Sequence, residues 1–154
     1  MNLFEYNVFI EASPEAVFQV IADPRSKLAW VPAIRHVELE SHGPLGPGTK
    51  YIASSGAGPF DFIFHERILE WVEAKRVAYE GHSPWGYFKT TAKLKSEAGG
   101  TVVHYRMDYT FPGGWFGSMV GRLVASLIRR PMERSSSGRL KRVIEEGLWQ
   151  PDIA

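Results

Sequence analysis

The chain has 154 residues and a formal net charge of +1, with 18 Lys and Arg against 17 Asp and Glu. Cysteine is absent, which excludes disulfides, thiolate metal sites and a cysteine nucleophile. This balanced charge is not that of a general nucleic-acid-binding protein, so we expect no nucleic-acid partner. We expect one domain over residues 1–150, because a chain of this length can bury a sizeable core.

The N-terminal residues lack the positive charge and unbroken apolar run of a signal peptide. No stretch has the roughly 18 consecutive apolar residues of a membrane-spanning helix. The sequence therefore predicts a soluble cytoplasmic protein. Its aromatic content of 13% is high, which indicates either a core filled with rings or a cavity lined by them.

The first predicted elements are a strand and two short helices. Residues 3–11 alternate apolar and polar side chains, which is typical of a half-buried strand. Ser13 and Pro14 then suit the N-cap and first position of a helix. Asp23 and Pro24 end that helix, since a residue before proline is pushed out of the helical region. A second short helical turn follows and ends near Trp30.

The middle of the chain predicts only strands. Apolar and polar side chains alternate over six further runs bounded by Gly, Pro and polar turns, and residues 54–59 are predicted to be a loop. The predicted strands span residues 34–41, 48–54, 60–72, 76–82, 86–96 and 101–111.

From Trp115 the apolar spacing becomes helical and continues to about residue 145. Pro131 should kink or split this long helix, because proline has no N–H to donate and clashes with the preceding turn. Residues 114–148 hold seven basic and three acidic residues. This basic segment is either a solvated helix face or a contact for an anionic membrane or partner.

Helices and strands do not alternate, which excludes a doubly wound βαβ fold and favours an α+β fold with an antiparallel sheet around one long helix. The whole order resembles the Bet v 1-like, or START-like, superfamily, and specifically the polyketide cyclase/dehydrase-like (SRPBCC) proteins. The segments that carry the resemblance are 12–18, 22–24, 30–32, 48–49, 68–71, 76–80 and 138–145. It covers nearly the whole chain and implies a helix-grip fold, with a curved sheet of about seven strands wrapped around a kinked C-terminal helix.

The alternation within each strand sorts side chains that face the interior from those that face solvent. The apolar faces are rich in rings, and we expect them to line a cavity beneath the long helix, with Met119 and Leu123 as its lid. The predicted ligand-binding residues are Trp30, Tyr51, Phe62, Phe64, Glu66, Tyr79, Trp85, Phe88, Tyr105, Met107, Tyr109, Trp115, Phe116, Met119 and Leu123.

Glu66 is the one carboxylate predicted on an apolar face. Burial there favours the protonated acid and suits Glu66 to acid–base work. Two alternatives remain: a bulge around residues 65–67 that turns Glu66 outward, or an arginine that neutralises it. The five histidines lack the spacing of a metal site, so neither a metal nor a cofactor is expected.

Three functions fit these patterns. The leading one is binding or transport of a hydrophobic small molecule, lipid-like or polycyclic and aromatic. The second, implied by the resemblance, is a cyclase or dehydratase in which Glu66 is the base while Tyr79 and Tyr109 polarise carbonyl oxygens. The third is docking to a membrane or partner through the basic C-terminal helix. The sequence leaves a monomer and a homodimer both open.

Overall fold

The fold of the chain is a curved antiparallel sheet of seven strands with three α-helices, given by a computed structural model that describes residues 1–151. The order across the sheet is β1-β7-β6-β5-β4-β3-β2. The strands are β1 (Asn2–Ile10), β2 (Ile34–Leu39), β3 (Lys50–Ala57), β4 (Phe60–Val72), β5 (Arg76–Ser83), β6 (Gly86–Glu97) and β7 (Gly100–Thr110). This is the predicted α+β helix-grip arrangement.

The short helices follow β1 as expected. Helix α1 is Pro14–Ile21, and the Ser13 hydroxyl accepts a hydrogen bond from the Ala16 N–H at 3.2 Å, as an N-cap does. A 3₁₀ turn, Pro24–Ser26, is capped by the Asp23 side chain and leads directly into α2, Lys27–Trp30. Helix α1 packs against β6 and β7, and α2 packs against β2 and the C-terminal helix.

Strand β3 is longer than predicted, because only Gly58 and Pro59 separate it from β4. The expected loop over residues 54–59 was therefore wrong. Its first four residues pair along β4, ending with Ala57 opposite Phe60. The run of small residues resembled a loop, but the neighbouring strand supplies their backbone hydrogen bonds.

Helix α3, Gly114–Glu145, is one continuous helix of 32 residues that runs through Pro131, so of the two predicted effects of the proline, a kink or a split, the split does not occur. Packing overrides the local preference here. Ser136, Leu140 and Val143 are buried after the proline, and Ser136 Oγ lies 2.8 Å from the Tyr6 hydroxyl on β1. The helix ends before Gly147, whose positive φ allows the chain to leave the last turn.

The solid part of the core lies between the sheet, helices α1 and α2, and the second half of α3. Its fully buried side chains include Val17, Phe18, Trp30, Ile68 and Leu140. The space under the first half of α3 is not filled in this way, and it is there that the cavity lies.

Candidate ligand-binding cavity

The concave face of the sheet and helix α3 enclose a cavity of about 560 Å³. Its walls are mostly apolar and aromatic, and residues 31–34 close the side next to β2. Four strands contribute rings, and one more ring follows β7 directly: Phe4, Phe62, Phe64, Phe88, Tyr105, Tyr109 and Phe111. A cavity of this volume and lining is typical of small-molecule sites, which span about 300–1,000 Å³.

Helix α3 contributes one stripe to the cavity. Its lining residues recur every four positions: Phe116, Val120, Val124, Ile128 and Met132. Gly117 and Gly121 let the helix approach the chain that precedes it. A Cβ at Gly117 would collide with the Pro112 carbonyl oxygen, and one at Gly121 with the Phe111 ring.

The floor of the cavity contains a buried ion pair. The Lys27 Nζ, from α2, donates to Glu66 Oε1 at 3.2 Å and to the Tyr51 hydroxyl at 2.8 Å. The side chains of Lys27 and Glu66 are only 6% and 4% exposed, and both line the cavity. The ammonium also lies 4.0 Å from the centre of the Tyr79 ring, a cation–π contact. Buried charges need such partners, since unpaired they are costly.

Three tyrosines surround this pair. Burial, and next the negative charge of Glu66, raise the pKa of both the Tyr51 and the Tyr79 hydroxyl well above the ordinary value. Burial likewise raises the pKa of Tyr105. These phenols therefore remain neutral and act as hydrogen-bonding groups near neutral pH.

Thr90 adds a further hydroxyl to the cavity wall. Thr90 is 1% exposed, and the Tyr105 hydroxyl lies near it. Nevertheless, Thr90 Oγ1 makes no hydrogen bond of ordinary geometry within residues 1–151. A buried hydroxyl without a partner costs free energy unless something binds it.

The structure brings most of the predicted ligand-binding residues to the cavity. Those that line it are Phe62, Phe64, Glu66, Trp85, Phe88, Tyr105, Met107, Tyr109 and Phe116. Trp85 and Phe116 are 56% and 57% exposed, which places them at the mouth.

Six predicted residues do not line the cavity. Trp30, Tyr51 and Tyr79 are fully buried behind its floor. Trp115, Met119 and Leu123 point to solvent, with Leu123 63% exposed, so the expectation that Met119 and Leu123 form the lid was wrong. Apolar residues cover a wide part of the α3 surface, so the sequence did not show which of them face the cavity. Contact of the helix with residues 111–112 turns Val120 and Val124 inward.

Glu66 points into the interior, as the strand alternation predicted. A register irregularity does occur in β4, but it lies between Ile68 and Glu70, beyond Glu66. The partner of Glu66 is Lys27, not an arginine. Sequence reasoning missed Lys27 because its pairing spans 39 positions. One local signal existed: Lys27 lies one helical turn before Trp30, on the face that α2 buries.

The three residues expected to act together in catalysis do not meet. The Tyr79 hydroxyl donates to the Ile21 carbonyl, behind the cavity wall. The Tyr109 hydroxyl donates to the Trp85 carbonyl at 2.9 Å, at the mouth. Only Glu66 lies at the floor. Among residues 1–151, no cluster of three or more His, Asp or Glu side chains is arranged to hold a metal ion.

A family model described as polyketide cyclase / dehydrase and lipid transport matches residues 1–145. The chain belongs to this family. An uncharacterized Mycobacterium tuberculosis protein, Rv2574, is 31% identical over 115 residues, which cover 72% of this chain and 67% of that protein. The uncharacterized protein Mb2604 of Mycobacterium bovis matches to the same extent.

Solved structures share this fold at low sequence identity. TTHA0849 from Thermus thermophilus has a TM-score of 0.76 at 19% identity, covering 94% of this chain and 97% of that one. The Bet v 1 family allergen Ara h 8.0201 has a TM-score of 0.62 at 17% identity, covering 89% and 95%. These likenesses establish the Bet v 1-like fold of this family member. Within residues 1–151, no helix is both long and apolar enough to cross a bilayer.

Proposed function

We propose that this protein binds and carries a hydrophobic small molecule, lipid-like or aromatic, in the cavity beneath α3. The observation that carries the proposal is the cavity itself, about 560 Å³ of apolar space held open by a rigid sheet. Rings at its mouth and floor suit a ligand with flat or branched apolar groups. The family, whose description includes lipid transport, supports the same conclusion.

The cyclase alternative receives less support from the geometry. The Tyr79 and Tyr109 hydroxyls donate to backbone carbonyls and do not converge with Glu66. Glu66, the base of this alternative, is held in a salt bridge with Lys27 and is therefore already engaged with an ammonium group. We therefore propose carriage or sensing of the ligand as the function of the cavity.

Two tryptophan substitutions in α3, one inside the cavity and one outside it, test the proposal. Val124→Trp fills the cavity, because Val124 lines it, whereas Leu127→Trp adds the same ring to the outer, exposed face. We expect Val124→Trp to weaken binding of an apolar fluorescent probe at least about tenfold, with Leu127→Trp unchanged. Native mass spectrometry of protein purified from its own host would identify the ligand. Equal probe binding by both variants would contradict the proposal.

A second function is favoured by the outer face of α3. Trp115, Met119, Leu123 and Leu127 recur every four residues there and are 55–79% exposed. Arg122 and Arg130 lie on the same side of the helix, and neither has an ion-pair partner within residues 1–151. Apolar side chains interspersed with unpaired arginines suit the surface of an anionic bilayer. We propose that this face docks on such a membrane beside the cavity mouth.

Liposome sedimentation tests the docking. We expect binding to vesicles containing phosphatidylserine, weaker binding to phosphatidylcholine vesicles, and loss of binding in high salt. Arg122→Glu with Arg130→Glu should abolish binding, whereas Lys93→Glu with Lys95→Glu, an equal charge change on β6, should not. Arg129 is unsuitable for this test because it donates to the carbonyls of Asn2 and Leu3. No binding to either vesicle, or concentration-dependent dimerisation through this face instead, would reject the proposal.

A further inference from the structure

The charged side chains of the cavity lie at its floor, whereas aromatic rings surround its mouth. Lys27, Glu66, Thr90 and Tyr105 line the floor, Tyr51 lies directly behind it, and all five are buried residues from different elements. At the other end, Trp85 and Phe116 are more than half exposed. An occupant of this cavity therefore meets charged side chains at one end only.

The ion pair at the floor is balanced in charge. The ammonium of Lys27 has three protons, and it contacts Glu66, Tyr51 and the face of the Tyr79 ring. A carboxylate entering the floor would add a second negative charge beside Glu66, buried and without a cation of its own. Such an uncompensated buried charge is strongly unfavourable.

The floor nevertheless keeps hydrogen-bonding capacity. A carboxylate accepts up to about four hydrogen bonds through its two oxygens. Glu66 accepts one from Lys27 at Oε1 and interacts with the Tyr51 hydroxyl, so acceptor positions remain. The Thr90 hydroxyl is buried on the same cavity wall beside the Tyr105 hydroxyl, but its Oγ1 makes no hydrogen bond of ordinary geometry within the described residues. These groups offer an acceptor beside a hydroxyl, which suits a neutral group that both donates and accepts.

We infer that the ligand carries a neutral hydroxyl, of an alcohol or a phenol, which binds at the Glu66 and Thr90 floor while its apolar body extends toward Trp85 and Phe116. The inference rests on the proposed ligand-binding function and narrows its ligand class. Glu66 accepts the hydroxyl proton in a hydrogen bond, and Lys27 fixes the charge and position of Glu66. Fatty acids and aromatic acids of the same shape are disfavoured.

A matched pair of probes tests this inference. The probes para-hexylphenol and para-hexylbenzoate share one apolar body and differ in charge at neutral pH. Their dissociation constants are measured by calorimetry for each protein variant. Because the cost of removing each probe from water is the same for every variant, a change in the ratio of the two constants reports the cavity floor alone.

Two substitutions at the floor should move this ratio in opposite directions. Glu66→Gln leaves the Lys27 ammonium unbalanced and should shift the preference toward the benzoate by at least about tenfold. Lys27→Met leaves Glu66 unbalanced and should shift it toward the phenol by a similar factor. Glu97→Gln and Lys93→Met, the same two changes at exposed positions of β6 outside the cavity, should leave the ratio unchanged.

The outcomes separate the inference from the proposed function. Ratios within about twofold of the wild type for both folded variants would overturn the inference, even where both probes bind. If wild-type protein binds neither probe nor an apolar fluorescent probe, the proposed function itself fails. If one variant does not fold by circular dichroism, the ratio for the other still decides, because each predicts a shift of defined sign.

Discussion

Helix α3 consists of two halves that behave differently although they form one continuous helix. We define the entrance half as residues 114–130 and the anchor half as residues 131–145. The anchor half buries Leu140 and Val143 in the core. The entrance half buries only small residues, Gly117, Gly121 and Ala125, and exposes its large apolar side chains.

The anchor half is tied to the first strand by hydrogen bonds as well as by packing. Glu133 Oε1 accepts from the Glu5 N–H at 3.0 Å, and the Lys141 Nζ donates to the Phe9 carbonyl at 2.8 Å. Ser136 meets the Tyr6 hydroxyl between them. The helix is thus fixed along much of β1, and this half provides stability.

The entrance half instead spans the cavity. Its inner stripe faces empty space, and its outer stripe faces solvent, so its large apolar residues contribute little to the core. The two halves of the helix thus have different roles. Residues that stabilise the fold lie after Pro131, and those proposed to meet ligand or membrane lie mostly before it. Three predictions test this division.

The largest expected effect is on stability in the anchor half. Leu140→Ala removes a fully buried side chain and should lower the free energy of unfolding by about 2–5 kcal/mol. Leu127→Ala, the same change at a 69% exposed position of the entrance half, should change it by no more than about 0.5 kcal/mol. Urea unfolding measures both. Similar losses for the two variants would remove the distinction between the halves.

The second prediction uses one glycine from each half. Gly117→Ala should lower the free energy of unfolding by about 1–3 kcal/mol, because the new methyl group meets the Pro112 carbonyl. Gly138→Ala should raise it by about 0.5–1 kcal/mol, because the added methyl meets open space and alanine favours the helix. Thermal unfolding gives the sign of each change. A Gly117→Ala variant at least as stable as the wild type would show that the entrance half is not held close to residues 111–112.

The third prediction concerns alkaline pH. Burial, only partly opposed by the hydrogen bond with Ser136, raises the pKa of Tyr6 above its ordinary value of 10.0. Above that pH the unfolded chain loses the Tyr6 proton while the folded protein keeps it, so stability falls as pH rises, by up to about 1.4 kcal/mol per pH unit. Tyr6→Phe should remove the contribution of Tyr6 to this decrease of the free energy of unfolding with pH.

Tyr109→Phe is the control for the alkaline slope. Burial raises the pKa of Tyr109 as well, but Tyr109 is only partly buried at the mouth, so its share of the slope should be smaller. Urea unfolding from about pH 9 to pH 11 compares the two variants. An equal reduction of slope by both would show that the mouth is as well packed as the contact between β1 and the anchor half.

Local patterns in the chain were enough to predict the architecture. Alternation in residues 60–72 and 76–82 and the Ser13-Pro14 helix start are such patterns, and each is close to the structure. The alternation of side chains along each strand also placed Glu66 and most of the aromatic lining on the interior face. This inference needs only the sequence, because successive side chains of a strand point to opposite faces of the sheet.

The completion of the site depends instead on contacts between distant parts of the chain. The Lys27–Glu66 pair joins α2 to β4 across 39 positions, and no local pattern encodes so distant a partner. The rotation of α3, which turned Val124 inward and Leu123 outward, depends on glycine contacts with residues 111–112. Pro131 remained within the helix because the anchor half gains more from packing on β1 than the proline costs. Local propensity is set by neighbouring residues in the chain, whereas burial and charge pairing are set by residues that meet only in the fold.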